Sequence, residues 1–208
     1  MNDIFNIGSH RVSLASVDCG VVENMLGNDR VSILHSDPPW GDGNLKYWVT
    51  LNKRMTGNVF TSLTYDALIA RLFGLVHRYV DGFVFIETGL RWETLLAKRF
   101  ETEGLKNIRI VRMRYKSGSR WLEQTLVGGT TGPQYSYDYQ YADLEPVDEI
   151  VTIIRSTKVP AGSIVLDPCC GMGNLARAAV KTGMRFRGNE FNAARLQKTI
   201  DFLKKSVG

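Results

Sequence analysis

The chain has 208 residues, a mass of 23.4 kDa, 44% hydrophobic and 23% charged residues, and a formal net charge of +5; these values fit one soluble domain with a sizeable core. No apolar run approaches the ~18 residues of a membrane span, and residues 1–11 lack the basic-then-apolar pattern of a secretion signal, so a cytoplasmic protein without a membrane partner is expected. Cys19, Cys169 and Cys170 have no metal-ligand spacing, which argues against a zinc site or a disulfide framework and for a reducing compartment.

In chain order, residues 11–17 alternate like a strand that ends at Asp18, and residues 31–35 form a second short strand broken by Asp37-Pro38-Pro39. Thr64 reads as an N-cap, with Leu68, Leu72, Leu75 and Tyr79 recurring at helical spacing after it. A buried strand is expected at 82–86 and an amphipathic helix at about 91–103. Residues 107–115 alternate apolar and basic side chains. The stretch 117–143 is the least regular, with Gly128-Gly129 and then Tyr135, Tyr137, Tyr139 and Tyr141 at alternate positions. That alternation fits an edge strand or a loop better than a base-stacking face. A helix from Pro146, a strand at 163–166 ending in Asp167, a helix at 175–182, a strand from Phe186 to Glu190 and a final helix close the chain. Strands alternating with helices indicate an α/β fold with a mostly parallel sheet. No repeat or linker divides it. His10, His35 and His77 are scattered and are assigned no catalytic role; His35 reads as a packed strand residue.

Charge is placed unevenly. Residues 91–120 hold nine Lys/Arg against three Glu, and the next thirty hold six acids and no base. Such a field suits a phosphate backbone on one side of the molecule. Lys46, Lys53, Arg54, Arg112, Arg114, Lys116 and Arg120 are the candidate nucleic-acid contacts.

The segment SIVLDPCCGMGNLARA sets a buried strand before Asp167, then Gly171-x-Gly173, then a helix. Glycines let backbone pass close to a ligand, and a helix N-terminus offers free N–H groups. Glu190 ends the next strand, 23 residues after Asp167, where an acid is placed to hold the hydroxyls of a ribose. An aspartate opening the turn repels a pyrophosphate and suits a ligand with a cationic end.

Asp37-Pro38-Pro39-Trp40 follows a strand directly. The prolines stiffen the backbone and remove two donors, leaving carbonyl acceptors. A carboxylate, a rigid carbonyl and an indole together suit an amino group on a flat aromatic ring. Asp37 and the Pro38 carbonyl would accept its hydrogens while Trp40 stacks on the ring. A base in a duplex must first be extruded to reach such a site.

Together the two motifs resemble the S-adenosylmethionine-dependent amino-methyltransferases that act on adenine N6 or cytosine N4. Asp37-Pro38-Pro39-Trp40 resembles their catalytic loop. Asp167, Pro168, Cys169, Cys170, Gly171, Gly173 and Asn174 resemble their cofactor loop, with Cys169 in place of the usual Phe and Asn174 in place of Thr. Glu190 resembles the ribose-binding acid, and Asp18 the acid near the cofactor adenine. The catalytic loop precedes the cofactor loop, as in the circularly permuted β-class. The resemblance implies a Rossmann-like methyltransferase fold with a seven-stranded, mostly parallel sheet and helices on both faces. It divides one domain, 1–208, into a catalytic half at 1–116, a short variable or recognition segment at 117–145 and a cofactor half at 146–208.

The implied cofactor is S-adenosyl-L-methionine, with no metal, and the implied activity is methylation of adenine N6 in DNA by a prokaryotic or phage enzyme of the restriction-modification kind. Adenine N6 in RNA, cytosine N4 in DNA and a catalytically silent nucleic-acid-binding subunit are the alternatives. A recognition segment so short points to low sequence specificity, or to specificity supplied by a homodimer or a partner subunit.

Overall fold

The computed structural model describes residues 3–17, 20–57, 63–117 and 119–208. The strands are β1 (Asp3–Ile7), β2 (His10–Leu14), β3 (Val31–Ser36), β4 (Val80–Thr88), β5 (Lys106–Ser117), β6 (Arg120–Thr130), β7 (Ile164–Asp167) and β8 (Arg185–Glu190). The helices are α1 (Val21–Leu26), α2 (Gly41–Thr56), α3 (Tyr65–Tyr79), α4 (Glu93–Thr102), α5 (Pro146–Ser156), α6 (Asn174–Thr182) and α7 (Ala193–Val207). One sheet runs in the order β1-β2-β8-β7-β3-β4-β6-β5.

Among the described residues the sheet has eight strands rather than the seven expected. The extra strand is β1, which folds back antiparallel on β2 through a turn at Gly8 and Ser9. The pairs β2/β8, β8/β7, β7/β3 and β3/β4 are parallel, whereas β4/β6 and β6/β5 are antiparallel.

Side chains of the central strands alternate between two cores, as the period of a strand requires. Ile33, Val165, Phe83 and Phe85 face α5, α6 and α7, among Ile153, Leu175, Ala178 and Leu203. Leu34, Leu166, Val84 and Ile86 face α1, α3 and α4, among Met25, Leu72, Val76 and Phe100. Because both faces are covered, β7 opens on the apolar run Ile164–Leu166 and the middle of β4 is the apolar run Phe83–Ile86.

Several local signals hold. The Thr64 hydroxyl accepts from the Ala67 N–H and caps α3. Pro146 opens α5, and the Asn192 side chain caps α7 by accepting from the Arg195 N–H at 3.0 Å. Two elements go beyond the sequence reading. Residues 41–56, for which no element was expected, form α2, and much of the irregular 117–143 stretch is β6, bonded to both β4 and β5. The tyrosines from 135 to 141 lie on neither a strand nor a stacking face. They belong to an extended strap in which Tyr137 and Tyr139 are buried in the core, and Tyr135 donates to Asp81 at 2.6 Å.

Candidate active site

The chain leaves β3 toward β4 on one side and leaves β7 toward β8 on the other. The neighbouring ends of β3 and β7 therefore form a topological switch point, where an open parallel sheet leaves a crevice. The Asp37–Trp40 loop leaves β3 there, and the 167–174 loop leaves β7. A hydrogen bond ties them: the Ser36 hydroxyl donates to Asp167 Oδ1 at 2.9 Å. The same Asp167 oxygen accepts the Cys169 N–H at 3.0 Å, which tightens the turn into the glycines.

Gly171 and Gly173 have φ of +53° and +84°, values that side chains disfavour. A Cβ on Gly171 would lie 2.7 Å from the Arg195 guanidinium, and one on Gly173 would lie 2.7 Å from the Thr199 hydroxyl. Both positions favour glycine by φ, and Gly173 also by space, since Thr199 is short and buried. Glu190 braces this loop by accepting the Gly171 N–H at 2.8 Å on one oxygen and the Asn192 N–H at 2.8 Å on the other. A carboxylate has about four acceptor positions, so these backbone contacts leave Glu190 room for a ligand.

Asn189, which carried no sequence signal, ties three strand ends together. Its amide donates to the Ala15 and Pro168 carbonyls at 3.1 Å each, and its oxygen accepts from Ser13 at 2.9 Å. Cys170 donates its N–H to the Asn189 carbonyl at 2.8 Å. Burial pushes the Cys169 and Cys170 thiols well up, so both stay protonated and neither is a nucleophile.

Two cavities meet at this crevice. One, of about 240 Å³, lies between the ends of β2 and β8 and the face of α2, with Val17, Leu45, Trp48, Val49, Leu63 and Phe191 among its walls. The other, of about 390 Å³, runs toward the ends of β4 and β6, past Glu87, Gln124, Glu149 and Asp167. Asp37, Trp40, Tyr115, Cys169 and Arg195 border both. A ligand in one cavity can thus meet a ligand in the other at the Asp37 carboxyl.

Helix α2 roofs the first cavity. Its Trp48 lies under the Arg195 guanidinium, 4.4 Å from the ring centroid, and Met55 in its last turn accepts from the Asn192 amide at 3.7 Å. Trp40 donates its indole N–H to Asp37 Oδ1 at 2.9 Å and meets Tyr115 edge-on, with centroids 5.6 Å apart. The carboxyl and the indole are thereby held as one unit.

Charge in the crevice is poised. Burial among apolar walls raises Asp37 to about 6, opposed by the Trp40 hydrogen bond and by Arg195. Burial also raises Asp167, to about 7, and Glu190. In each case burial disfavours the charged form, and a nearby positive charge favours it. Such a set of shifts in one cleft marks a functional site.

The structure brings together Asp37, Pro38, Pro39 and Trp40 with Asp167, Pro168, Cys169, Cys170, Gly171, Gly173, Asn174 and Glu190 at the strand ends. Asp18 lies outside the described residues, as does the side chain of Lys116. The basic candidates do not converge. Lys46, Lys53 and Arg54 are exposed on α2, and Arg120 is exposed at the start of β6. Arg112 is paired with Glu93 at 3.0 Å, and Arg114 is paired with Asp143. The residues that sequence reasoning missed are Ser36, Trp48, Glu87, Tyr115, Gln124, Asn189 and Arg195. Of these, Arg195 alone had a signal, five residues after the strand-end acid.

No family model matches the chain, and no curated protein matches it. Solved structures share its fold. The complex of M1.HpyAVI with SAM is 16% identical, with 92% of this chain and 98% of that one covered at a TM-score of 0.64. A Thermus thermophilus protein complexed with S-adenosyl-L-methionine is 16% identical, with 95% and 94% covered at 0.65. The cytosine-N4-specific PvuII DNA methyltransferase is 10% identical, with 97% and 96% covered at 0.62.

Proposed function

We propose that this protein methylates an exocyclic amino nitrogen of a DNA base, N6 of adenine, using S-adenosyl-L-methionine. One observation carries the reading: Asp37 and Trp40 stand on the wall shared by two cavities, one lined by Glu190, Pro168 and Trp48 and the other by Gly171, Asp167 and Glu87. The likeness to the SAM-bound and cytosine-N4 methyltransferase structures supports the reaction class.

The residues fit that cofactor. The apolar walls around Trp48 suit an adenosine, and the remaining lone pairs of Glu190 suit ribose hydroxyls. Gly171 permits close approach, and the raised acid Asp167 gains from a nearby cation. When bound, the cofactor supplies a methyl group on a positively charged sulfur.

The chain's own work is positioning and proton handling. Asp37 Oδ2 and the Pro38 carbonyl accept the two amino hydrogens of the base, since Oδ1 is taken by the Trp40 indole. That geometry turns the nitrogen lone pair out of conjugation and toward the first cavity. Trp40 stacks on the ring, a contact worth about 1–3 kcal/mol per base in comparable sites. Asp37 then takes the proton released by the methylated nitrogen.

The test is incubation with cofactor carrying a labelled methyl group on duplex DNA, single-stranded DNA and RNA, followed by mass spectrometry of the nucleosides. N6-methyladenine from DNA is the expected product. N4-methylcytosine would move the acceptor but keep the chemistry. Absence of label from every polymer, with no cofactor binding by calorimetry and nucleic acid still bound, would leave the silent subunit as the better reading.

A further inference from the structure

The floor of the larger cavity is built from polar groups that the reaction above does not use. Glu87 stands near the end of β4, His35 on the adjoining β3 and Gln124 on β6, and all three line the cavity together with Asp37. Gln124 donates its amide N–H to Glu87 Oε2 at 2.7 Å. The other oxygen, Oε1, lies 3.4 Å from His35 Nε2. That nitrogen is buried and makes no hydrogen bond.

The pair is not an ion pair. Burial drives His35 down to about 4. Burial, with the neighbouring Asp37 charge, drives Glu87 well up. The surroundings thus favour the neutral form of each, a protonated carboxyl on Glu87 and an uncharged imidazole on His35. Because Oε2 accepts from Gln124, the Glu87 proton resides on Oε1. The cavity that Asp37 lines as an acceptor thus offers an O–H donor as well, and the contact of that donor with His35 Nε2 is not a hydrogen bond.

A donor next to an acceptor complements an amidine edge, in which a ring nitrogen with a free lone pair adjoins a carbon bearing NH2. Adenine presents this edge at N1 and N6, and cytosine at N3 and N4. Thymine does not, since its N3 carries a hydrogen between two carbonyls. We propose that Glu87 is a base-reading residue that donates its carboxyl hydrogen to the ring nitrogen adjoining the methylated amino group, with Gln124 fixing which oxygen holds the hydrogen. This assignment rests on the methylation reading above, and gives that site its basis for selecting amino-bearing bases.

A chemical double-mutant cycle tests it, on the DNA oligonucleotide that the labelling experiment finds to be methylated best. Its target adenine is replaced by 1-deazaadenine, in which C–H stands in place of N1; 3-deazacytosine serves if cytosine is the target. The change in amino reactivity caused by the analogue is common to all variants and cancels in the ratio. In the native protein the analogue should lower kcat/KM by about 10–100-fold, the worth of a buried hydrogen bond. Glu87→Ala should lower kcat/KM on the natural base by a similar factor and erase most of the further loss with the analogue. Glu87→Gln, which keeps an N–H donor and the Gln124 contact, should retain the penalty. Cofactor affinity by calorimetry should be unchanged in both. A penalty undiminished in Glu87→Ala, or abolished in Glu87→Gln, would overturn the assignment while leaving methylation intact. If the native protein methylates neither oligonucleotide, the methylation reading falls and this assignment falls with it.

Discussion

At the scale of single residues, the site is governed by carboxyls whose protons are loosely committed. Asp37 must be ionised to accept hydrogens from an amino group, and its environment holds it near 6. Methylation should therefore fall as pH drops through about 6 and level off above 7, read as kcat/KM against pH. The sign for stability is opposite. A carboxyl raised in the folded state binds its proton more tightly there than in the unfolded chain. Protonation of Asp37 and Asp167 between neutral pH and their ordinary range thus favours folding, and mild acid should inactivate the protein without unfolding it. Asp37→Ala should lower the methylation rate by about 10²–10⁴-fold, the range for a group that handles a proton in the reaction. Cofactor affinity by calorimetry should be nearly unchanged. Normal methylation by that variant would sink the mechanism.

At the scale of elements, the glycine loop and the roof helix carry different burdens. Gly173→Ala forces a side chain into positive φ and onto Thr199. A lowered melting temperature, with a cost of about 1–3 kcal/mol, and weakened cofactor binding should appear together. Asn192→Ala removes the cap of α7 and should cost about 0.5–2 kcal/mol. Since that helix carries Arg195 in its first turn, cofactor affinity should drop as well. Most of these elements were legible in the sequence because each has a local cause: Thr64 for α3, Pro146 for α5, and the apolar runs before Asp37 and Asp167. Helix α2 was not legible. It opens on Gly41 and Gly43, lacks a side-chain cap and buries only Gly41, Leu45 and Asn52. Its position comes from contacts distant in sequence, Arg195 and Asn192. Strand β6 was hidden for a related reason. Gly128 and Gly129 read as a loop, yet a Cβ at either would meet Tyr137 and Phe85, or Phe100, within 3 Å. They are small because aromatic rings press on the strand. The polar floor of Glu87, His35 and Gln124 had no motif to announce it, since it exists only where β3, β4 and β6 lie side by side.

At the scale of the whole molecule, the charge pattern divides into committed and uncommitted cations. Arg112 and Arg114 are held by acids of this chain, whereas Lys53, Arg54 and Arg120 are exposed. DNA binding, measured by anisotropy over a salt series, should weaken as salt rises. Charge reversal at Lys53, Arg54 or Arg120 should flatten that dependence more than reversal at Arg112. The path of the chain through the sheet has one further consequence. Gly8, in the turn after β1, sits against Val207 at the end of α7, 3.1 Å from the Cβ position to the nearest methyl. The two ends of the fold therefore meet on one edge, and the pieces of the crevice arrive from separate passes of the backbone. A gene rearranged to start at the exposed Ser119, with the old ends joined by a short flexible peptide, would thread the glycine loop before Asp37 and still build the same crevice.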